Sequence, residues 1–206
     1  MDGRDWGMFL MPYEQAVEEL KVKFKSMRAD LKKREDLSPI EFVTGRVKHV
    51  LSILEKADRL GVHKDNLETE IEDIAGIRMM CQFVEDIDRV SAMIRDREDM
   101  TLIYEKDYVS NQKDSGYRSH HMIVSYPVQT AIGMKKILVE IQIRTLAMNF
   151  WATIEHSLNY KFKGNMPSEL RIRLQKAAEA AYNLDVEMSS IRSELAKHDN
   201  TKNIEE

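Results

Sequence analysis

The stretch KKILVEIQIRT, residues 135–145, alternates without a slip. Successive side chains of an extended strand point to opposite faces, so Val139, Ile141 and Ile143 share one side while Glu140, Gln142 and Arg144 share the other. A β-sheet with one dry and one polar face satisfies this pattern. A carboxylate, an amide and a guanidinium in one row make the polar face the first candidate for a functional surface.

Other segments supply partners for that strand. Residues 74–83, IAGIRMMCQF, are almost continuously apolar and bounded by acids, which predicts a strand covered on both faces. Arg78 in its middle is costly unless something pairs with it. MTLIY (100–104) and HMIVSY (121–126) read as two further strands, and Ile87, Val90 and Ile94 as one face of a short helix. The predicted fold class is therefore α/β in the broad α+β sense, a mixed sheet flanked by helices.

Helical periodicity brackets the strands. Tyr13, Val17, Leu20, Phe24, Met27 and Leu31 step by four and three, which predicts a long amphipathic helix over residues 5–34. Lys21, Lys23, Lys25 and Arg28 decorate its other faces; a solvated surface and an anionic ligand site both suit them. SPIE at 38–41 is a capping box with Pro39 in the first helical position, yet Val43 and Thr44 before Gly45 suit a short strand, so 39–47 stays open between the two. A helix follows over 47–59, with Val47, Val50, Leu51 and Leu54 expected inward. Lys48, Ser52, Lys56 and Arg59 then share another face.

Ala147, Trp151, Ile154 and Leu158 continue the helical period over 146–160, and Gly164 with Pro167 marks a break. Beyond it Leu170, Leu174, Ala177, Ala181, Leu184, Met188, Ile191 and Leu195 form a heptad seam that wants another helix, in this chain or in a second subunit. The closing KHDNTKNIEE is polar and expected to fray. The expectation is one domain over 1–206: a helix over 1–35, a core over 38–165, a heptad helix over 166–200 and a polar tail over 201–206.

Composition narrows the function classes. At 206 residues and 43% hydrophobic content the chain can bury a real core. A formal charge of −4 gives no overall pull toward nucleic acid or membrane. Cys81 is the lone cysteine, which rules out an intramolecular disulfide and a multi-thiolate zinc site and suits a reducing compartment. The N-terminus has no basic region followed by an apolar run, and no segment reaches the roughly 18 apolar residues of a bilayer span. A cytoplasmic location is expected.

Asp73 before the second-named strand and Glu140 within the first form an acid pair suited to Mg²⁺, which takes one or two protein carboxylates plus phosphate oxygens. A loop acid and a solvent-facing strand residue are the plainer readings. Strict alternation sends Asp73 and Arg78 to opposite faces unless Asp73 lies in a loop or Gly76 marks a bulge. The chain has neither GxxxxGK[ST] nor GxGxxG, so a nucleotide would be held by side-chain cations. The row Lys48, Ser52, Lys56 fits a polyphosphate, although surface helices produce such rows as well. In KDSGYRSHH, 113–121, Tyr117 follows a Ser-Gly turn, where it suits either stacking on a base or half-buried packing. His120, His121 and His156 lack the spacing of a helical zinc pair.

Four segments, GRVKHVLSILEK (45–56), DIAGIRMMCQF (73–83), KDYVSNQKDSGYRSHH (106–121) and VEIQIRTLAMNFWATIEHSLNYK (139–161), together resemble in order and spacing the synthetase domain of the RelA/SpoT-homolog family. The resemblance is greatest to small alarmone synthetases of the RelQ type and covers nearly the whole chain. It implies a nucleotidyltransferase-like sheet and a GTP/GDP diphosphokinase that moves the β,γ-pyrophosphate of ATP to the ribose 3′-hydroxyl of GDP or GTP. AMP is released, and the products are the (p)ppGpp alarmones of the stringent response.

The same resemblance makes Asp73 and Glu140 the Mg²⁺ carboxylates, with Glu140 also the base for the 3′-hydroxyl. Arg46 and Arg78 would sandwich adenine, and Lys48, Ser52, Lys56 and Arg59 would hold the ATP phosphates. Tyr117 would stack on guanine, Lys106, Lys113 and His121 would face the acceptor's 5′-phosphates, and Gln142 would hydrogen-bond nearby. Where long family members carry R-x-K-D or E-x-D-D, this chain has YEKD, 104–107, without the leading arginine. There is no room for the hydrolase or regulatory domains of long members, so synthesis without degradation is expected. A homotetramer is implied, with a pppGpp-binding allosteric cleft at positions Lys25, Phe42, Thr44 and Asn149. Two rivals remain: an AMP transferase on the same sheet, and a non-catalytic nucleotide sensor or single-stranded RNA binder using the Lys21–Arg28 cluster.

Overall fold

The computed structural model describes residues 5–35, 38–162 and 166–202. In chain order the elements are α1 (Trp6–Glu35), β1 (Phe42–Val47), α2 (Val50–Leu60), a 3-10 turn (Lys64–Asn66), α3 (Leu67–Glu70), β2 (Ala75–Cys81), α4 (Val84–Arg95), β3 (Thr101–Asp107), β4 (His120–Thr130), β5 (Gly133–Thr145), α5 (Leu146–Lys161) and α6 (Ser168–Lys202). The five strands form one sheet in the order β1-β2-β5-β4-β3, with β2 and β5 parallel and every other pair antiparallel. The mixed sheet flanked by helices matches the expected class.

Alternation in β5 sets the two faces of this sheet. Val139, Ile141 and Ile143 are all buried, together with Ala75, Ile77 and Met79 of β2 and Met122, Val124, Tyr126 and Val128 of β4. Tyr13, Val17, Leu20 and Phe24 of α1 and Ile87, Val90 and Ile94 of α4 join them in one core. Each such aliphatic contributes roughly 1.5–3 kcal/mol relative to exposure. The opposite face carries Thr44, Arg46, Gly76, Arg78, Glu140 and Gln142 around an open cavity. Residues 74–83 are therefore not covered on both faces: at Gly76 and Arg78 the second face is the wall of that cavity.

Region 39–47 resolves as strand. The Ser38 hydroxyl does accept from the Ile40 amide at 3.2 Å, but the chain then extends into β1 because β2 offers a full edge, from Phe42 opposite Met80 to Val47 opposite Ala75. Helix α2 consequently starts at Val50, later than the pattern predicts, and Lys48 lies in the connection. Its inward residues are Ile53 and Ala57, whereas Leu51 is 64% exposed. Gly61 ends α2 in the left-handed conformation, φ 67°, which spares a Cβ penalty and lets its amide and that of Val62 close on the last carbonyls.

The second half of the heptad seam of the C-terminal helix does not pack on this chain's own helices. Leu184, Met188, Ile191 and Leu195 are exposed; the face against the domain carries Ala178, Ala181 and Tyr182 in its first half and polar residues beyond them. Asp185 accepts from the Thr145 hydroxyl at 2.6 Å, Ser189 donates to Glu85 at 2.9 Å, and Arg192 donates to Asp86 at 3.2 Å and covers the Phe83 ring. Helix α6 also continues to Lys202, through most of the stretch expected to fray. Gly164 of the predicted break lies outside the described residues, as do 203–206 of the predicted tail, but α5 and α6 end and begin on either side of the break.

Basic residues of α1 are largely engaged within the chain. Lys21 pairs with Glu18, Lys23 with Asp99, and Arg28 donates to the Ile40 carbonyl. Gly45 has a more demanding role: a Cβ there would come within 2.7 Å of Val17 Cγ1 and 3.0 Å of Ile77 Cδ1. Its bare backbone lets β1 lie close on α1 and sets the height of Arg46. Gly45→Val is expected to lower stability by about 1–3 kcal/mol, read as a shift of the urea midpoint; an unchanged midpoint would show that α1 does not constrain β1 there.

Candidate active site

Parallel pairing of β2 with β5 places Gly76 opposite Glu140. Asp73 lies in the turn before β2, so it is free of strand alternation and needs no bulge at Gly76 to share a side with Arg78. Asp73 and Glu140 line one cavity of about 150 Å³ with Arg46, Arg78 and Gln142. Their proximity is felt electrostatically, because the Asp73 charge disfavours ionisation of Glu140.

Each acid is compensated separately. Lys48 donates to Asp73 Oδ2 at 2.7 Å, and Lys56 lies 3.0 Å from Oδ1. Oδ1 is buried and faces the Lys56 ammonium without an aligned hydrogen bond, a position that a cation exchanging with Lys56 would occupy. Burial pushes the Asp73 carboxyl up, but the two ammonium groups outweigh it and hold it below the usual carboxylate value. Lys48, Ser52, Lys56 and Arg59 line a second cleft, about 600 Å³, with Arg46, Asp73 and His156 from α5. The predicted row is thus one surface, joined to the acid pair through Arg46 and Asp73.

Glu140 sits in a polar chain running toward the tyrosine loop. His121 Nδ1 lies 2.9 Å from its Oε1, and Gln142 Nε2 donates to its Oε2 at 2.7 Å. The other His121 nitrogen is 2.8 Å from the Tyr117 hydroxyl, which in turn accepts from Arg144. An ionised carboxylate only accepts, so His121 Nδ1 donates to Glu140, and in a neutral His121 the remaining Nε2 accepts from the Tyr117 hydroxyl. Burial raises the Glu140 carboxyl, His121 and Gln142 lower it, and the balance is a depressed value. Tyr117 is raised, chiefly by burial.

Arg78 finds an amide where a carboxylate is the usual partner: its Nε donates to Gln142 Oε1 at 3.3 Å. Burial and the positive charges of Arg46 and Arg144 lower its pKa. An under-compensated guanidinium of this kind favours a planar or anionic ligand. On the far side, Lys113 stands 5.0 Å from the Tyr117 ring centroid and 4.5 Å from that of Tyr108. Lys106 is opposite His121 in the register and lies 4.8 Å from the Tyr104 ring. All the predicted catalytic, ATP-side and acceptor-side residues therefore border one continuous polar face. Of the positions implied for an allosteric cleft, Lys25 is on α1, Phe42 and Thr44 are on β1 and Asn149 is on α5.

Several contributors escape a sequence reading. Arg144 is buried and also donates to the Ser119 hydroxyl at 3.1 Å and to Gln142 at 2.7 Å, fixing Tyr117 from beneath. Its place on the polar face of KKILVEIQIRT was the one available signal. Tyr104 donates to Glu72, the neighbour of Asp73, and His156 reaches the cationic cleft. Nothing local in sequence announces either. As a metal site, the acid pair offers oxygen donors alone, and no group of three or more His, Cys, Asp and Glu side chains suited to a metal occurs among the described residues. Two carboxylates fit Mg²⁺ that completes its sphere with phosphate and water.

A family described as "Region found in RelA / SpoT proteins" matches residues 45–165. GTP pyrophosphokinase YjbM of Bacillus subtilis is 59% identical over 195 residues, 95% of this chain and 92% of that protein. The structure of small alarmone synthetase 1 from Bacillus subtilis bound to its product pppGpp superposes with a TM-score of 0.89 at 60% identity, covering 92% of this chain and 97% of that one. The same synthetase bound to AMPCPP gives 0.82 at 56% identity over 93% and 98%. The chain belongs to the RelA/SpoT family.

Both acids have depressed folded-state pKa values, so the stability they contribute is present above the ordinary carboxylate range and lost as pH falls through the folded values. Asp73→Asn combined with Glu140→Gln is expected to lose less stability than the wild type between about pH 6 and about pH 2, measured by urea unfolding. An equal or larger loss in the double variant would show that these carboxylates are not held down by their neighbours.

Proposed function

We propose that ATP lies along β1 and α2, that the guanosine acceptor lies along β4 and its preceding loop, and that the two meet at Glu140. The chain is a (p)ppGpp synthetase, a GTP pyrophosphokinase by kinship with the named enzymes. The observation that carries the site assignment is the convergence of Asp73 and Glu140 on one cavity with cations on one side and the tyrosine loop on the other.

In this reading the acceptor's 3′-oxygen attacks the β-phosphorus of ATP, the bond to the α,β-bridging oxygen breaks, and AMP leaves. Glu140, ionised throughout the neutral range, takes the hydroxyl proton. Asp73 and Glu140 would hold Mg²⁺, whose charge offsets that gathering on the phosphate oxygens. Lys48, Ser52, Lys56 and Arg59 bind the ATP phosphates, and as they do so Lys48 and Lys56 exchange Asp73 for phosphate. Arg46 and Arg78 enclose adenine, two guanidinium planes against a π-face. Tyr117 stacks on guanine, displacing Lys113 from its ring, while Lys106, Lys113 and His121 face the acceptor's phosphates and Gln142 bonds beside them. Such a transfer asks mainly for alignment and positive charge, and that is what these residues supply.

The exposed apolar seam of α6 supports assembly into a homotetramer. A pppGpp-responsive cleft between subunits is compatible with Lys25, Phe42, Thr44 and Asn149 lying on separate elements of one chain. Single-stranded RNA is the weaker proposal, since Lys21, Lys23 and Arg28 already have internal partners. No helix among the described residues is long and apolar enough to cross a membrane, in keeping with a cytoplasmic enzyme.

Incubation with ATP, GDP and Mg²⁺ is expected to yield AMP and guanosine tetraphosphate by mass, with no product when Mg²⁺ is omitted. Glu140→Gln should reduce turnover by roughly 10²–10⁴-fold while ATP still binds by calorimetry. Pyrophosphate in place of AMP would establish the AMP-transferase alternative. Added pppGpp should raise the initial rate; an unchanged rate in the wild type would remove the allosteric proposal.

A further inference from the structure

The loop that carries Tyr117 is built against α6, a helix outside the 45–165 family region. Gly116 has φ 87°, and a Cβ there would stand 2.6 Å from the Ala178 Cβ. Glycine is therefore required twice, for the left-handed turn and for the close approach. Two residues on, the Arg118 guanidinium lies 3.8 Å from the Tyr182 ring centroid while its Nη1 donates to the Val109 carbonyl at 2.8 Å. Arg118 Nε is buried and has no hydrogen-bond partner, which makes the aromatic face a principal contact of this cation.

Between these two attachments, Tyr117 packs against the cluster of Trp151, Ala152 and Ala178, and its hydroxyl reaches on to His121 and Arg144. The turn is tight on its own account, with the Gly116 amide bonded to the Lys113 carbonyl at 2.7 Å and the Lys113 amide to the Tyr117 carbonyl at 3.2 Å. Fixing residues 116 and 118 leaves the side chain between them little freedom of direction. Ala178 and Tyr182 are one helical turn apart, so a single face of α6 supplies both attachments.

We propose that Tyr182, backed by Ala178, is a positioning residue for the acceptor nucleotide: by fastening Gly116 and Arg118 to α6, it aims Tyr117 into the cleft. This rests on the reading of the loop as the acceptor site. Tyr182 touches no substrate. Its effect falls on acceptor binding, because the ATP side of the cleft is built from β1, α2 and Arg78 of β2, none of which the Gly116–Ala178 and Arg118–Tyr182 contacts touch.

The test is steady-state kinetics with each substrate varied in turn for wild type, Tyr182→Ala, Tyr182→Phe, Ala178→Leu and Tyr117→Ala. Tyr182→Ala is expected to raise the acceptor KM roughly tenfold with ATP KM unchanged. Tyr182→Phe, which keeps the ring, restores the wild-type value. Ala178→Leu, which pushes Gly116 off the helix, repeats the acceptor defect by a separate route and stands in if Tyr182→Ala fails to fold. An acceptor KM that responds to Tyr117→Ala but to neither α6 variant overturns the inference and leaves the acceptor-loop reading standing. Parallel rises in both KM values overturn it too, as a general loss of structure. No response to Tyr117→Ala overturns the loop reading itself and this inference with it.

Discussion

The parallel pairing of β2 with β5 is the constraint from which the cleft follows. It sets Gly76 opposite Glu140 and brings the Asp73 turn to the start of the neighbouring strand. A parallel pair needs a long crossover, and here the chain between β2 and β5 supplies α4, β3 and β4. The helices that cover the sheet gather on the face where Val139, Ile141 and Ile143 point. The other face is left for Glu140, Gln142 and Arg78.

Two carboxylates brought together in a partly buried place repel, and the fold meets that cost by giving each its own counterpart. Asp73 has Lys48 and Lys56; Glu140 has His121 and Gln142. A buried charge stripped of its partner is strongly destabilising, so substrate binding in this architecture is an exchange of partners. In the proposed function, Lys48 and Lys56 would leave Asp73 for phosphate as the carboxylate gains a metal. Flexible ammonium groups suit such an exchange better than a bidentate guanidinium would.

Legibility in the sequence tracks how local each signal is. The faces of β5 were readable because a period of two needs only neighbouring residues, and the Ser52, Lys56, Arg59 row because helical spacing is equally local; Lys48 reaches the same cleft from the connection before α2. At residues 38–47 the capping-box signature and the β-branched pair conflict; the edge of β2, far along the chain, decides for strand. The heptad seam of α6 asked for a partner in this chain or in a second subunit, but it could not say which face docks on this domain. The polar face docks because Thr145, Glu85 and Asp86 await it, three partners that no periodicity within the helix can reveal. Arg78 was readable as a charge needing company, but its partner, Gln142, is 64 positions away. The Arg144–Tyr117 contact and the Gly116–Ala178 approach are likewise products of the assembled sheet.

The central claim is that Asp73 and Glu140 hold one divalent ion between them. Anomalous diffraction from crystals grown with Mn²⁺ and a non-hydrolysable ATP analogue tests it most directly. The account predicts a single strong peak with an oxygen from each carboxylate at about 2.1 Å and phosphate oxygens completing the sphere. A peak ligated by only one of the two acids, or by neither, would contradict it.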